Sequence, residues 1–286
     1  MMKALPGIIP VLMYHTVGNR EVAADAVYHL GREQFIEHMK LIRDCGVIST
    51  TIRDNAAGHA DARASEQARE QSGKSNSRQV IIQFDDGAEC HATTVMEALI
   101  DAGHVGEFFI NPANVGRPGY ADWEMLRAMH ATGMSIQSHG NTHVYLDTLD
   151  DRELLDELTR SKQTIEDRIG TAVTVLAAPG GRINNHVASM ARLVGYTACC
   201  GSRPGYWRTP SGVRVIPRIP IRANTSLEAL AAFLKADRQA IASVQLRYHF
   251  LRSVQHILGN TNYDRLRKQV LAGESPPDSP HRARKG

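Results

Sequence analysis

The sequence has no Cys-x-x-Cys pair. Its four cysteines, Cys45, Cys90, Cys199 and Cys200, show no secreted-framework spacing, so neither a disulfide-stapled scaffold nor a cysteine-closed structural zinc site is expected. No stretch of eighteen consecutive apolar residues occurs, which removes the sequence signal of a transmembrane helix. The opening Met1 to Gly7 runs into Ile8 to Met13 without the apolar core and small-residue cleavage site of a signal peptide. A cytoplasmic protein, or one lying peripherally at the inner membrane face, is the resulting expectation. Net charge is only +3, and the basic excess sits at the end, where Arg247 to Gly286 carries eight Lys or Arg against three Asp or Glu. No aromatic interleaving or RNA-binding motif accompanies it, so no nucleic-acid partner is expected.

What is present is a pair of adjacent carboxylates followed, some fifty residues later, by paired histidines. Phe84-Asp85-Asp86-Gly87 closes the strand-like run Val80-Ile81-Ile82-Gln83, and Ser138-His139-Gly140-Asn141-Thr142-His143 closes a second apolar run, Met134 to Gln137. With 13 histidines in 286 residues, roughly 0.6 His-x-x-x-His pairs would arise by chance, so spacing alone is weak evidence. Context strengthens it, because in α/β folds sites are built at strand carboxyl ends. Beyond the strand end the chain bends, so Asp85 and Asp86 can take different jobs, one binding metal and the other moving protons. A helical turn over 139–143 would put both imidazoles on one face. Asp86, His139 and His143 then make a three-ligand set with an open position, as a catalytic zinc site requires.

These residues resemble the polysaccharide deacetylases of the NodB-homology type, carbohydrate esterase family 4, over roughly Ile8 to Ile221. Gln83-Phe84-Asp85-Asp86-Gly87 is similar to the family's TFDDG motif with Gln in place of Thr. Ser138 to His143 is similar to its SHTxxH motif, Glu107-Phe108-Phe109-Ile110 to its TFF strand, and Ala178-Pro179-Gly180-Gly181 to its proline-glycine groove motif. The resemblance implies that Asp85 is the catalytic base, that Asp86, His139 and His143 hold the metal, and that Pro179, Gly180 and Gly181 contact substrate. The family's late Leu-x-His, source of its general acid, is missing. The opening Val11-Leu12-Met13-Tyr14-His15-Thr16-Val17 resembles a circularly permuted branch in which the final strand comes first, which makes His15 the implied acid. The arginine that many relatives carry two residues before the groove proline is Ala177 here, leaving Arg182 or Arg218 to orient Asp85; Arg182 is the expected one.

Along the chain, apolar spacing predicts a strand at Ile8 to Met13 and a helix from Arg32 to Cys45, then alternation: strand 80–84, helix 92–102, strand 105–110, helix 122–132, strand 134–138, helix 151–169, strand 173–177, helix 184–194, strand 196–200. Repeated β-α units mean a parallel sheet, and without Gly-x-Gly-x-x-Gly after the first strand a dinucleotide fold loses ground to a barrel. The expected fold is α/β, a distorted (β/α)7 barrel as in the resembled family. Three regions are expected: a barrel over 1–225 with a polar insertion near 53–78, C-terminal helices over 226–260 packed on it, and a basic, disordered tail over 261–286. One of these helices carries an apolar stripe through Ile241, Val244, Tyr248, Leu251, Val254 and Leu258, read as packing or, alternatively, as peripheral membrane contact.

Hydrolysis of an amide needs an activated water, a stabilised oxyanion and a proton for the leaving amine. The expected activity is removal of N-acetyl groups from amino sugars of a polysaccharide or its lipid-linked precursor, with an N-acetylated glycan as partner. One divalent ion is required, zinc first, with cobalt or nickel as alternatives. Two other readings stand beside it: hydrolysis of a different non-peptide C–N amide bond in a small molecule, and a non-catalytic carbohydrate-binding relative.

Overall fold

The computed structural model describes residues 7–18, 26–55, 78–208 and 215–254. The insertion expected near 53–78 falls mostly outside these residues, as do Leu258 and the tail expected over 261–286.

Strand β1 (Ile8–Tyr14) reads Ile-Ile-Pro-Val-Leu-Met-Tyr without alternation, the pattern of a strand covered on both faces, and all but its first residue are buried. Val11 and Ile9 pack inward with Ile81, Phe109, Val175, Ala177, Cys200 and Ile216. Leu12 and Tyr14 face the other way, into the larger core beneath the helices. Short strands β2 (Thr16–Val17) and β3 (His29–Leu30) pair with each other beside it.

The next strands are β4 (Ile48–Thr50), β5 (Gln79–Phe84), β6 (Glu107–Ile110), β7 (Ser135–Ser138), β8 (Val175–Ala177) and β9 (Ala198–Cys200). From β1 through β5, β6, β7 and β8 to β9 every pairing is parallel. After β10 (Tyr206–Arg208) come β11 (Val215–Ile216), which pairs with β9, and β12 (Ile219–Pro220), which pairs with β1. The segment from Val215 to Pro220 thus bridges the two sides of the sheet, and the result is a nearly closed α/β barrel of the expected kind. Strand β10 runs antiparallel to β1 and was not foreseen. It brings Trp207 to the inner core with Ile52.

Helices cover the outside: α1 (Arg32–Asp44), α2 (Met96–Ala102), α3 (Trp123–Ala131), α4 (Asp151–Ile169), α5 (Asn185–Val194), α6 (Leu227–Leu234) and α7 over 238–254. Their boundaries follow capping chemistry. Asp122, Asn184 and Ser226 each accept a first-turn backbone N–H, and Asp150 with Glu153 forms a capping box. Gly103, Gly170 and Gly195 end helices in the left-handed region that side chains disfavour. Of the stripe expected on α7, Ile241 is buried and Val244 packs against the core, while Tyr248, Leu251 and Val254 are half-buried.

Because the staves are parallel, their carboxyl ends open on one side. His15, Asp85 and Asp86, Asn111, His139, the segment Ala178 to Gly181, and Gly201 all lie there. Inside the barrel the buried Glu107 carboxylate accepts from Gln83 Nε2 at 2.8 Å, from Ser135 Oγ, and from the backbone N–H groups of Ile52 and Arg53. Gln83 and Glu107 are register partners on β5 and β6. Both replace the threonines of the resembled motifs, and they compensate each other.

Candidate metal centre

Asp85 and Asp86 follow β5 directly, and the turn separates them. Asp86 adopts φ 80°, a left-handed conformation costly for any residue but glycine and more tolerable for Asp than for most others. Asp85 points into the barrel, 4% exposed, and Asp86 points to the rim, 28% exposed. Asp86 Oδ1 lies 3.3 Å from His139 Nε2 and 3.1 Å from His143 Nε2. One donor atom from each of the three residues falls within 4.8 Å of the others. The imidazoles converge without the helical turn expected over 139–143: Gly140 at φ 73° and His143 at φ 65° bend the chain instead.

The hydrogen bonds test whether a cation fits. His139 Nδ1 lies 2.8 Å from the carbonyl oxygen of Ala177. A carbonyl only accepts, so Nδ1 carries the proton, and in the neutral ring Nε2 presents its lone pair to the Asp86 carboxylate. Two lone-pair donors 3.3 Å apart repel unless a proton or a cation lies between them. Two imidazoles and a carboxylate suit a divalent ion such as zinc, and a carbonyl fixing the second nitrogen is the usual support for a ligating histidine. Without a cation, protons do that work. Burial opposes ionisation of Asp86, but its bonds to both imidazoles hold it well below the usual carboxylate range, and the same bond to Asp86 raises His143.

Asp85 is held differently. Arg218, fully buried in the link between β11 and β12, donates from Nη1 to Asp85 Oδ1 at 2.7 Å and from Nε to the carbonyl of Gly201 at 2.8 Å. Burial pushes the Asp85 carboxyl up, yet the guanidinium, with His139 and His15 nearby, outweighs it and keeps Asp85 below its ordinary value. Asp85 is therefore an ionised, dry carboxylate. The role expected of Arg182 falls to Arg218, because Arg182 pairs with Asp147 at 3.0 Å and lies 4.4 Å over the Tyr145 ring.

His15 closes β1 on the same rim. Its ring stacks on Tyr28 at 4.7 Å, and its carbonyl accepts from His91 Nε2 at 2.6 Å. Burial lowers His91 to about 4, so it is neutral and donates from that nitrogen. No spacing signal in the sequence marks His91. Asn111, after β6, donates to the carbonyls of His139 and Gly140. Pro179 is buried, and the two following glycines are both left-handed. A Cβ on Gly180 would lie 2.7 Å from Tyr145 Cε1, and one on Gly181 would lie 2.6 Å from the backbone nitrogen of Ser202. Close backbone approach demands glycine at both places.

The chain is similar to known proteins in sequence and in fold. A family model described as polysaccharide deacetylase matches residues 72–199. Bacillus subtilis YxkH, a polysaccharide deacetylase by name, is 23% identical over 231 residues, 81% of this chain and 77% of its own. Among solved structures, the Streptococcus pyogenes deacetylase PplD in complex with acetate superposes with a TM-score of 0.70 at 19% identity, covering 80% of this chain and 99% of its own. The Bacillus cereus polysaccharide deacetylase BC0361 gives 0.66 at 22% identity, covering 79% and 69%. At these identities the structural likeness speaks to the fold.

Proposed function

We propose that this chain is a polysaccharide deacetylase of the NodB type, as its similarity to that family over residues 72–199 and to YxkH supports, and that it removes N-acetyl groups from amino sugars of a polysaccharide or of its lipid-linked precursor. The observation that carries the reading is the division of labour at β5, with Asp86 turned to the His139–His143 pair and Asp85 turned to Arg218.

A divalent ion held by Asp86, His139 and His143, zinc before cobalt or nickel, would supply Lewis acidity toward the amide carbonyl and make water more acidic. Asp85, ionised and dry, takes the proton from the attacking water. Arg218 keeps it unprotonated and aimed. His15, braced by Tyr28 and His91, gives a proton to the departing amine. Its place at the end of β1, between β5 and β12, supports the reading of a permuted chain in which the first strand does the work of the last. Pro179, Gly180 and Gly181 would contact the substrate. The acetate in the PplD complex is the small acid that this reaction would release.

Peripheral membrane contact would run through α7. Residues 238–254 contain three arginines and no acid, and Leu246 and Phe250 are exposed. Among the described residues no helix is long and apolar enough to cross a membrane.

The deciding experiment measures acetate release from chitooligosaccharides and partially acetylated glucosamine polymers. The expected result is turnover that a chelator abolishes and zinc or cobalt restores. Metal-loaded protein that releases no acetate from any N-acetylated glycan would refute the substrate assignment in favour of another C–N amide.

A further inference from the structure

His143 is the weak member of the ligand set: its side chain is 41% exposed against 2% for His139, and its backbone is left-handed. What fixes it must come from the chain on either side. On the N-terminal side, one carboxylate of α4 takes the loop's free donors. Glu157 Oε2 accepts from the backbone N–H of Asn141 at 2.7 Å and of Thr142 at 3.0 Å, and its Oε1 accepts from the Thr142 hydroxyl. One turn further along the same face, Ser161 Oγ donates to the carbonyl of Gly140 at 3.0 Å. On the C-terminal side, Arg182 pairs with Asp147, and its guanidinium covers Tyr145, which in turn packs on Gly180. The Arg182 side chain is only 12% exposed there, so the pair is better shielded than an ordinary surface bridge.

We infer that Glu157 and Arg182 are positioning residues for the outer metal ligand: they clamp the loop at 141–142 and at 145–147, and together hold His143 Nε2 where a cation shared with Asp86 and His139 can reach it. Neither group touches the donor atoms. Removing either leaves three chemically intact ligands but frees one of them to wander, so the first property lost is metal affinity. Arg182 does its work here on the loop that carries His143 and not on Asp85. The inference rests on the metal reading above, but it is tested without substrate.

The test is competitive titration of Zn²⁺ against a chromophoric chelator, on wild type, Glu157→Ala, Glu157→Gln and Arg182→Met. Supporting groups behind metal ligands typically contribute about 10- to 100-fold in affinity. Glu157→Ala should weaken zinc binding by about that factor and Arg182→Met by about 10-fold. Glu157→Gln, which retains one acceptor oxygen, should fall between wild type and Glu157→Ala. Cobalt-loaded variants should show altered d–d absorption, and saturating metal should restore most activity. Wild-type protein that binds no zinc would overturn the metal reading itself. Wild type that binds, with folded variants binding within about 3-fold of it, would overturn only the clamp. Should Glu157→Ala fail to fold, Glu157→Gln and Arg182→Met decide by the same criterion.

Discussion

Replacing Arg218 with methionine is the sharpest test of how the site is wired. Arg218 and Asp85 are 0% and 4% exposed and 2.7 Å apart, so the substitution leaves a carboxylate in a dry cavity opposite an apolar side chain. Breaking a buried ion pair from one side costs about 3–5 kcal/mol. Asp85 can avoid part of that by taking a proton. With an unfolded-state pKa near 3.9, doing so at pH 7 costs about 4 kcal/mol, which caps the penalty in the same range. At roughly 2–4 °C per kcal/mol for a chain of this size, melting should fall by about 8–16 °C.

The pH dependence carries the sign. In wild type the folded pKa of Asp85 is depressed, so its contribution is fully present above the unfolded value and is lost as pH falls through the folded one. In Arg218→Met the folded pKa is raised, so the deficit should shrink as pH is lowered toward about 4. Thermal unfolding followed by circular dichroism between pH 4.5 and 8, in chelator, measures both effects. Asp85→Asn combined with Arg218→Met removes both charges and should recover most of the loss. A single variant within about 1 kcal/mol of wild type, or a double variant no better than the single, would refute the claim that Arg218 exists to hold Asp85 ionised.

Two further predictions separate roles. Asp85→Asn, which keeps an oxygen for Arg218, and His15→Ala should both retain metal by elemental analysis while losing about 10²- to 10⁴-fold in kcat, whereas His139→Ala should lose the metal; the opposite partition would reverse the assignments. Gly181→Ala sets a Cβ against the Ser202 backbone at a left-handed residue, while a Cβ at Gly133, also left-handed, meets nothing within 4 Å. Urea unfolding should therefore show about 1 kcal/mol lost at Gly133→Ala and clearly more at Gly181→Ala, and equal losses would mean that the groove wall is not closely packed.

The barrel was legible because its rules are local. Capping residues, positive-φ glycines and short apolar runs fix α3, α4, α5, β1 and β5 to within a residue or two, and parallel pairing then follows from alternation. Strand β10 was not legible, since Tyr206-Trp207-Arg208 is too short for a period and its partner lies almost two hundred residues earlier. The site divides in the same way. Asp85, Asp86, His139 and His143 are marked by spacing, whereas Arg218 is marked only by what it touches. Nothing in Pro217-Arg218-Ile219 distinguishes a buried guanidinium from a surface one until closure of the sheet places it beneath β5.

The misassigned arginine shows why motif position is a poor guide to electrostatics. Arg182 stands three residues after the groove proline, beyond two left-handed glycines, where its guanidinium pairs with Asp147 and covers Tyr145. Arg218 lies far away in sequence, but on the segment that joins β9 to β1 across the gap, and from there it reaches Asp85 at 2.7 Å. In this chain the buried carboxylate at the end of β5 finds its cation at the seam where the barrel closes. The seam is set by register, and register is a property of the whole sheet. Once β12 pairs with β1, the residue that follows β1 also stands beside the seam, and that residue is His15, the proposed acid.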